Sequence, residues 1–128
     1  MSDLLEQASA WLDEQRMRHL SRTVVYERDG EFVEVSATVG QTIFLIDESY
    51  GATIRHVRRD YLIATADLVL NEQPTLPKRG DRIKETHDGK VFIHEVMGPG
   101  GNEPDWRYSD PYRRTLRIHT KQVGLLDV

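Results

Sequence analysis

The sequence contains no cysteine. That absence removes disulfide scaffolds, thiolate zinc sites, iron–sulfur clusters and thiol nucleophiles together, and it suits a reducing cytosol. No apolar run approaches the ~18 residues that a membrane-spanning helix needs. The start, Met1-Ser2-Asp3, has no basic region leading into an apolar stretch, so no signal peptide is expected. Excess positive charge is also missing. Seventeen Lys and Arg stand against 21 Asp and Glu, a net charge of −4, which argues against a globally basic nucleic-acid binder while leaving local basic patches open. No internal repeat, low-complexity tract or linker divides the 128 residues, a length that suits a single domain over 1–128. Apolar residues make up only 38%, which implies a thin core.

What is present reads as one helix followed by strands. Residues 3–20 carry a capping pattern at Asp3 and Glu6, and an apolar stripe at Leu5, Ala8, Trp11 and Leu12 through which the helix docks. The following region, 22–122, reads as short strands joined by turns, with long loops at 71–81 and 98–111 and a frayed tail at 123–128. Asp29-Gly30 marks a tight hairpin between Thr23–Arg28 and a strand from Phe32. Gly40 is expected to break that strand before a buried run Thr42–Ile46. Val91, Ile93 and Val96 are expected to face the core, and 98–111 to be irregular and mobile in the free chain. In the closing strand, Leu116, Ile118 and Thr120 share one face, and Thr115, Arg117, His119 and Lys121 the other. The fold class that follows is mainly β: a small antiparallel β-barrel or sandwich with an N-terminal α-helix.

Catalytic signatures are weak. None of the serines sits in a Gly-x-Ser-x-Gly elbow, and Gly98-Pro99-Gly100-Gly101 lacks the Gly-Lys-Ser/Thr ending of a phosphate loop. His94 and His119, with Glu85 or Glu95, could gather around zinc or iron in a small β-barrel enzyme or ligand-binding domain, but nothing in their spacing enforces a metal geometry, and half-exposed strand histidines are the preferred reading. No catalytic residue, metal ligand or cofactor is assigned. Arg79-Gly80-Asp81 spells an adhesion tripeptide but also suits a plain turn entering a strand. The richest segment is Trp106, Arg107, Tyr108, Tyr112, Arg113 and Arg114, residue types enriched at interface hot spots. It suits a protein interface, a plug for the barrel end, or contact with nucleic acid. Arg55, Arg58 and Arg59 form a second basic cluster, on a solvated face or against a partner.

The order of these elements, with Pro77-Lys78-Arg79-Gly80-Asp81-Arg82-Ile83 followed by Val91-Phe92-Ile93, resembles the small head–tail joining proteins of tailed bacteriophages, also called head-closure, head-completion or stopper proteins. In that turn Pro ends the loop, Gly supplies the unusual backbone angle and Asp bonds back. The resemblance covers about 3–120 and brings no catalytic residues. It implies a small barrel with an appended helix that assembles as a homo-oligomeric ring below the portal or adaptor. The ring closes the DNA-filled head and attaches the tail. It implies portal, adaptor and tail proteins as partners, contact with the DNA end in the channel, no membrane partner, and a place in the virion neck after synthesis in the host bacterial cytoplasm. Another connector ring or a tail terminator is the neighbouring reading.

Overall fold

The computed structural model describes residues 4–8, 10–11, 21–47, 51, 53–100 and 103–127. Residues 4–8 and 10–11 are helical; the rest of the expected helix, Leu12 included, lies outside the described residues. The expected stripe is not buried on the chain's own sheet: Leu5 and Ala8 are exposed, and Trp11 is 59% exposed.

The remaining described residues are mostly strand. β1 (Ser21–Arg28) turns at Asp29-Gly30, both at positive φ (51° and 83°), into β2 (Glu31–Asp47). After β3 (Thr53–Ala64) come a single 3-10 turn (Thr65–Asp67), β4 (Val69–Leu70), β5 (Gln73–Pro74), β6 (Arg82–His87), β7 (Lys90–Val96), β8 (Trp106–Tyr108) and β9 (Thr115–Asp127). Seven of these strands form one antiparallel sheet in the order β3-β2-β1-β6-β7-β9-β8, and β3 also pairs with β9, so the sheet partly closes into a ring. β4 and β5 make a separate two-stranded ribbon. Alternation fills the interior. Val24, Tyr26, Val35, Ala37, Tyr61, Ile63, Ile83, Val96, Leu116 and Ile118 pack together, and Leu68 and Leu70 join them from the short segment after β3.

Four expectations are corrected. Gly40 does not break a strand: β2 runs unbroken for 17 residues, and Gly40 pairs with Asp60. Its missing Cβ instead admits a close neighbour, since a Cβ there would stand 3.3 Å from Leu62 Cδ1. Val91 is only half-buried, whereas Ile93 and Val96 are buried as expected, on opposite faces of β7 because odd and even positions of one strand point opposite ways. Val96 and His94 point inward, His94 opposite Ile83, while Ile93 packs over Gly124. The 71–81 and 98–111 stretches are not wholly irregular, since they contain β5 and β8. The tail is not frayed to its end: β9 continues on β7 as far as Asp127 opposite Lys90, with a register shift between Ile93 and His94.

Candidate interaction surface

β3 and β9 pair from Ala64 opposite Thr115 down to Arg59 opposite Thr120, and there they part. Beyond that rung β3 stays with β2, and β9 stays with β7. β1 likewise leaves β6 after Val25 opposite Lys84. The sheet therefore forks into a β2–β3 ribbon and a β6–β7–β9 leaf, and a cavity of about 480 Å³ opens at the fork. Its walls include Arg22, Arg58, Arg59, Glu85, His94 and Lys121, with the apolar side chains of Val57 and Phe92.

Glu85 sits at the base of the fork because it follows Ile83 by two positions and so shares its inward face. It is buried, yet it accepts hydrogen bonds from Arg22 Nη1 (2.6 Å), Arg59 Nη2 (2.8 Å) and the Tyr61 hydroxyl (2.7 Å). Burial alone would raise its pKa, but these donors outweigh burial and hold it at about 2. The same burial, with the Glu85 hydrogen bond, pushes the Tyr61 phenol above its ordinary value. His94 meets the Tyr61 ring edge-on at 5.5 Å. Burial, and then the nearby Arg59 charge, push it down to about 4, so the imidazole is neutral at pH 7.

Two further buried carboxylates tie strands together away from the cavity lining. Asp60 accepts from His119 Nδ1 and Arg117 Nη1 (2.7 Å each) and from the Thr42 hydroxyl; burial opposes its ionisation, but these bonds keep it below the usual carboxylate range. Asp81 is the Asp of the Pro-x-x-Gly-Asp turn. It accepts from Lys78 N (2.9 Å), from Arg28 through two nitrogens (2.6 and 2.8 Å) and from the Tyr26 hydroxyl. At 3% exposed it is locked inside the fold and is not displayed as an adhesion tripeptide would be.

The chain leaves apolar side chains uncovered around the fork. Ile43 lies opposite Val57 across the ribbon, and both are exposed; Leu45, opposite Arg55, is 71% exposed. Leu125, opposite Phe92 on the leaf, is exposed as well. Opposed residues in an antiparallel pair share a face, so each arm carries an apolar strip.

The sequence-selected residues fall in two places. Trp106 and Tyr108 are half-buried against the core, their rings 5.2 Å apart edge-to-face, while Arg107 between them is exposed. Asp110 accepts from the backbone N–H groups of Tyr112, Arg114 and Thr115, which fixes the turn into β9. Arg113 lies over the Tyr108 ring at 5.6 Å, and Arg114 reaches Glu6 on the helix at 3.1 Å. Arg58 and Arg59 line the fork instead, Arg59 drawn inward to Glu85, while Arg55 is exposed farther out on β3, opposite Leu45. Residue composition missed Glu85, Arg22 and Lys121 as members of one site; the alternation of β6 was the available signal for Glu85. His94 and His119 do not converge on a common point, since one meets Tyr61 and the other pairs with Asp60. Among the described residues no three metal-ligating side chains gather.

A family model described as phage head-tail joining protein matches residues 2–127. No curated protein matches the chain.

Proposed function

The chain belongs to the phage head-tail joining family, whose members serve a structural role between the head and tail proteins at the virion neck, and from that premise we propose that it is a ring-forming subunit of that neck. In this reading it docks below the portal or adaptor, closes the DNA-filled head and presents the surface to which the tail attaches. The observation that carries it is the uncovered apolar surface. Ile43, Leu45, Val57 and Leu125 at the fork, and Leu4, Leu5 and Trp11 on the helix, are side chains that a soluble monomer ordinarily covers. A ring subunit covers such patches against its neighbours. The half-buried Trp106 and Tyr108, with exposed Arg107 between them, supply a second surface of the composition that interfaces favour.

The experiment is a phage in which this gene is disrupted and then complemented from a plasmid. The expected particles are heads that have packaged DNA, lose it, and carry no tail; free tails accumulate beside them. Infectious, tailed particles formed without the protein would refute the reading, as would its absence from the neck in a reconstruction of purified virions.

A further inference from the structure

The geometry points to the fork between the β2–β3 ribbon and the β6–β7–β9 leaf as a receptor for an extended acidic polypeptide segment of a partner protein. The segment lies along the open edge of β9 and sets its carboxylates on Arg58 and Lys121. The inference goes beyond the neck role and does not depend on ring formation.

Three observations converge here. The first is backbone. From Lys121 onward β9 has β7 on one side and, among the described residues, no strand on the other. An open edge of this kind accepts an added strand through main-chain hydrogen bonds, with side-chain pockets giving selectivity. The second is charge. Among the described residues, Arg22, Arg58, Arg59 and Lys121 line the cavity against a single carboxylate, Glu85. Glu85 is already matched by Arg22 and Arg59. Arg58 and Lys121 have no carboxylate partner among the described residues. The third is unused hydrogen-bonding capacity. His94 is only 4% exposed and lines the cavity, yet among the described residues its Nδ1 has no hydrogen-bond partner; neither has the buried Nε of Arg58. Buried polar atoms left unpaired are costly, so a ligand that pairs with them gains more than one meeting solvated groups.

The same features choose the ligand class. A carboxylate accepts from Arg58 Nε, from Lys121 Nζ and from the Nδ1–H tautomer of His94. Val57 and Phe92 on the opposing walls suit the apolar side chains that alternate with acidic ones along a strand. The cavity, about 480 Å³, takes a few residues of extended chain, whereas the width of a DNA duplex brings only an isolated phosphate to it.

The test uses the full-length protein and a dye-labelled, blocked hexapeptide alternating glutamate and valine, with binding read by fluorescence anisotropy. A lysine–valine hexapeptide and a single-stranded oligothymidylate are the comparison ligands. The glutamate peptide is expected to bind and the lysine peptide not to. Lys121→Glu and Arg58→Glu should each weaken binding by about tenfold, as the loss of a charge-assisted bond does. The His94 ring resonances should move on saturation. Lys121 is exposed on β9, so its variant keeps the test open if the Arg58 variant fails to fold. The inference fails if the glutamate peptide does not bind, if both variants bind it as the parent does, or if the His94 resonances stay in place. It also fails if the oligothymidylate binds the same residues more tightly, which would make phosphate the ligand. None of these failures touches the neck role, which is read from virions.

Discussion

Arg59 and Glu85 meet at the base of the fork, guanidinium Nη2 to carboxylate Oε1 at 2.8 Å, with the carboxylate buried and the guanidinium partly open to the cavity. Because Glu85 is held at about 2 against an ordinary 4.5, the folded state favours its ionised form. The contribution is fully present above pH 4.5 and is lost as pH falls through about 2. It amounts to at most about 3 kcal/mol. Glu85→Gln should therefore lower stability at pH 7 by a similar amount, since it leaves Arg59 without its partner. It should also flatten the stability curve below pH 4.5. Denaturant unfolding across a pH series checks both.

His94 acts in the adjoining window. Its folded value of about 4 lies below the ordinary 6.5, so the unfolded chain takes up a proton that the folded chain refuses. Stability from this residue is complete above pH 6.5, declines as pH falls, and levels off below about 4. His94→Gln should remove the slope between those limits while leaving the Glu85 limb in place. An unchanged slope would mean that the imidazole is not held neutral.

Asp81 satisfies more of the fold than any motif-level reading of its turn suggests. Asp81→Ala strips acceptors from the Tyr26 hydroxyl, the Arg28 guanidinium and the Lys78 amide at once. The expected loss is about 3–5 kcal/mol, the range for leaving a buried charge unpaired. Tyr26→Phe removes one donor and keeps the ring in the core, so it should cost only about 1 kcal/mol. Equal losses for the two variants would show that Arg28 and Lys78 contribute nothing.

Local chemistry was legible in the chain, and distant chemistry was not. Asp29-Gly30 and the Gly-Asp turn at Gly80 and Asp81 depend on neighbours in sequence, and the structure forms them as expected; Thr115–Lys121 forms its strand too, but Thr115 and His119 on the expected polar face are as buried as Leu116 and Ile118 on the other. Gly40 was misread because its role depends on Leu62, which reaches it only when β2 and β3 pair. Residues 123–127 looked like a loose end because the strand they form exists only against β7. The fork needs four strands to diverge from common rungs. Arg22, Arg59, Glu85 and Lys121 therefore carry no signal of belonging together until register is known.

Gly98 gives a test of packing in the loop before β8. A Cβ there would lie 2.6 Å from the Pro104 carbonyl oxygen, a backbone atom that cannot swing aside. Gly98→Ala should cost on the order of 2–3 kcal/mol as the 98–105 loop is forced off Asp105, whose carboxylate accepts from Gly98 N at 2.7 Å. Gly124→Ala is the matched control. Its Cβ would meet the flexible tip of Ile93 at 3.3 Å, and it should cost less than about 1 kcal/mol. Thermal melts of the two variants separate the cases.

The apolar ribbon allows folding and assembly to be tested apart. Ile43 and Leu45 are 48% and 71% exposed, so replacing both with aspartate removes little burial from the free chain. The double variant should melt within a few degrees of the parent and be at least as soluble. If the ribbon packs against a neighbour in the particle, the same two carboxylates would be buried there without partners, at a cost of several kcal/mol in each copy. A ring repeats that cost at every interface, so assembly should fail outright rather than weaken. Complementation of a gene-disrupted phage should then drop by a hundredfold or more in titre while the variant accumulates in the cell as folded protein. Full complementation would show that the ribbon faces solvent in the virion and would move the interface to the helix or to the Trp106–Tyr108 surface.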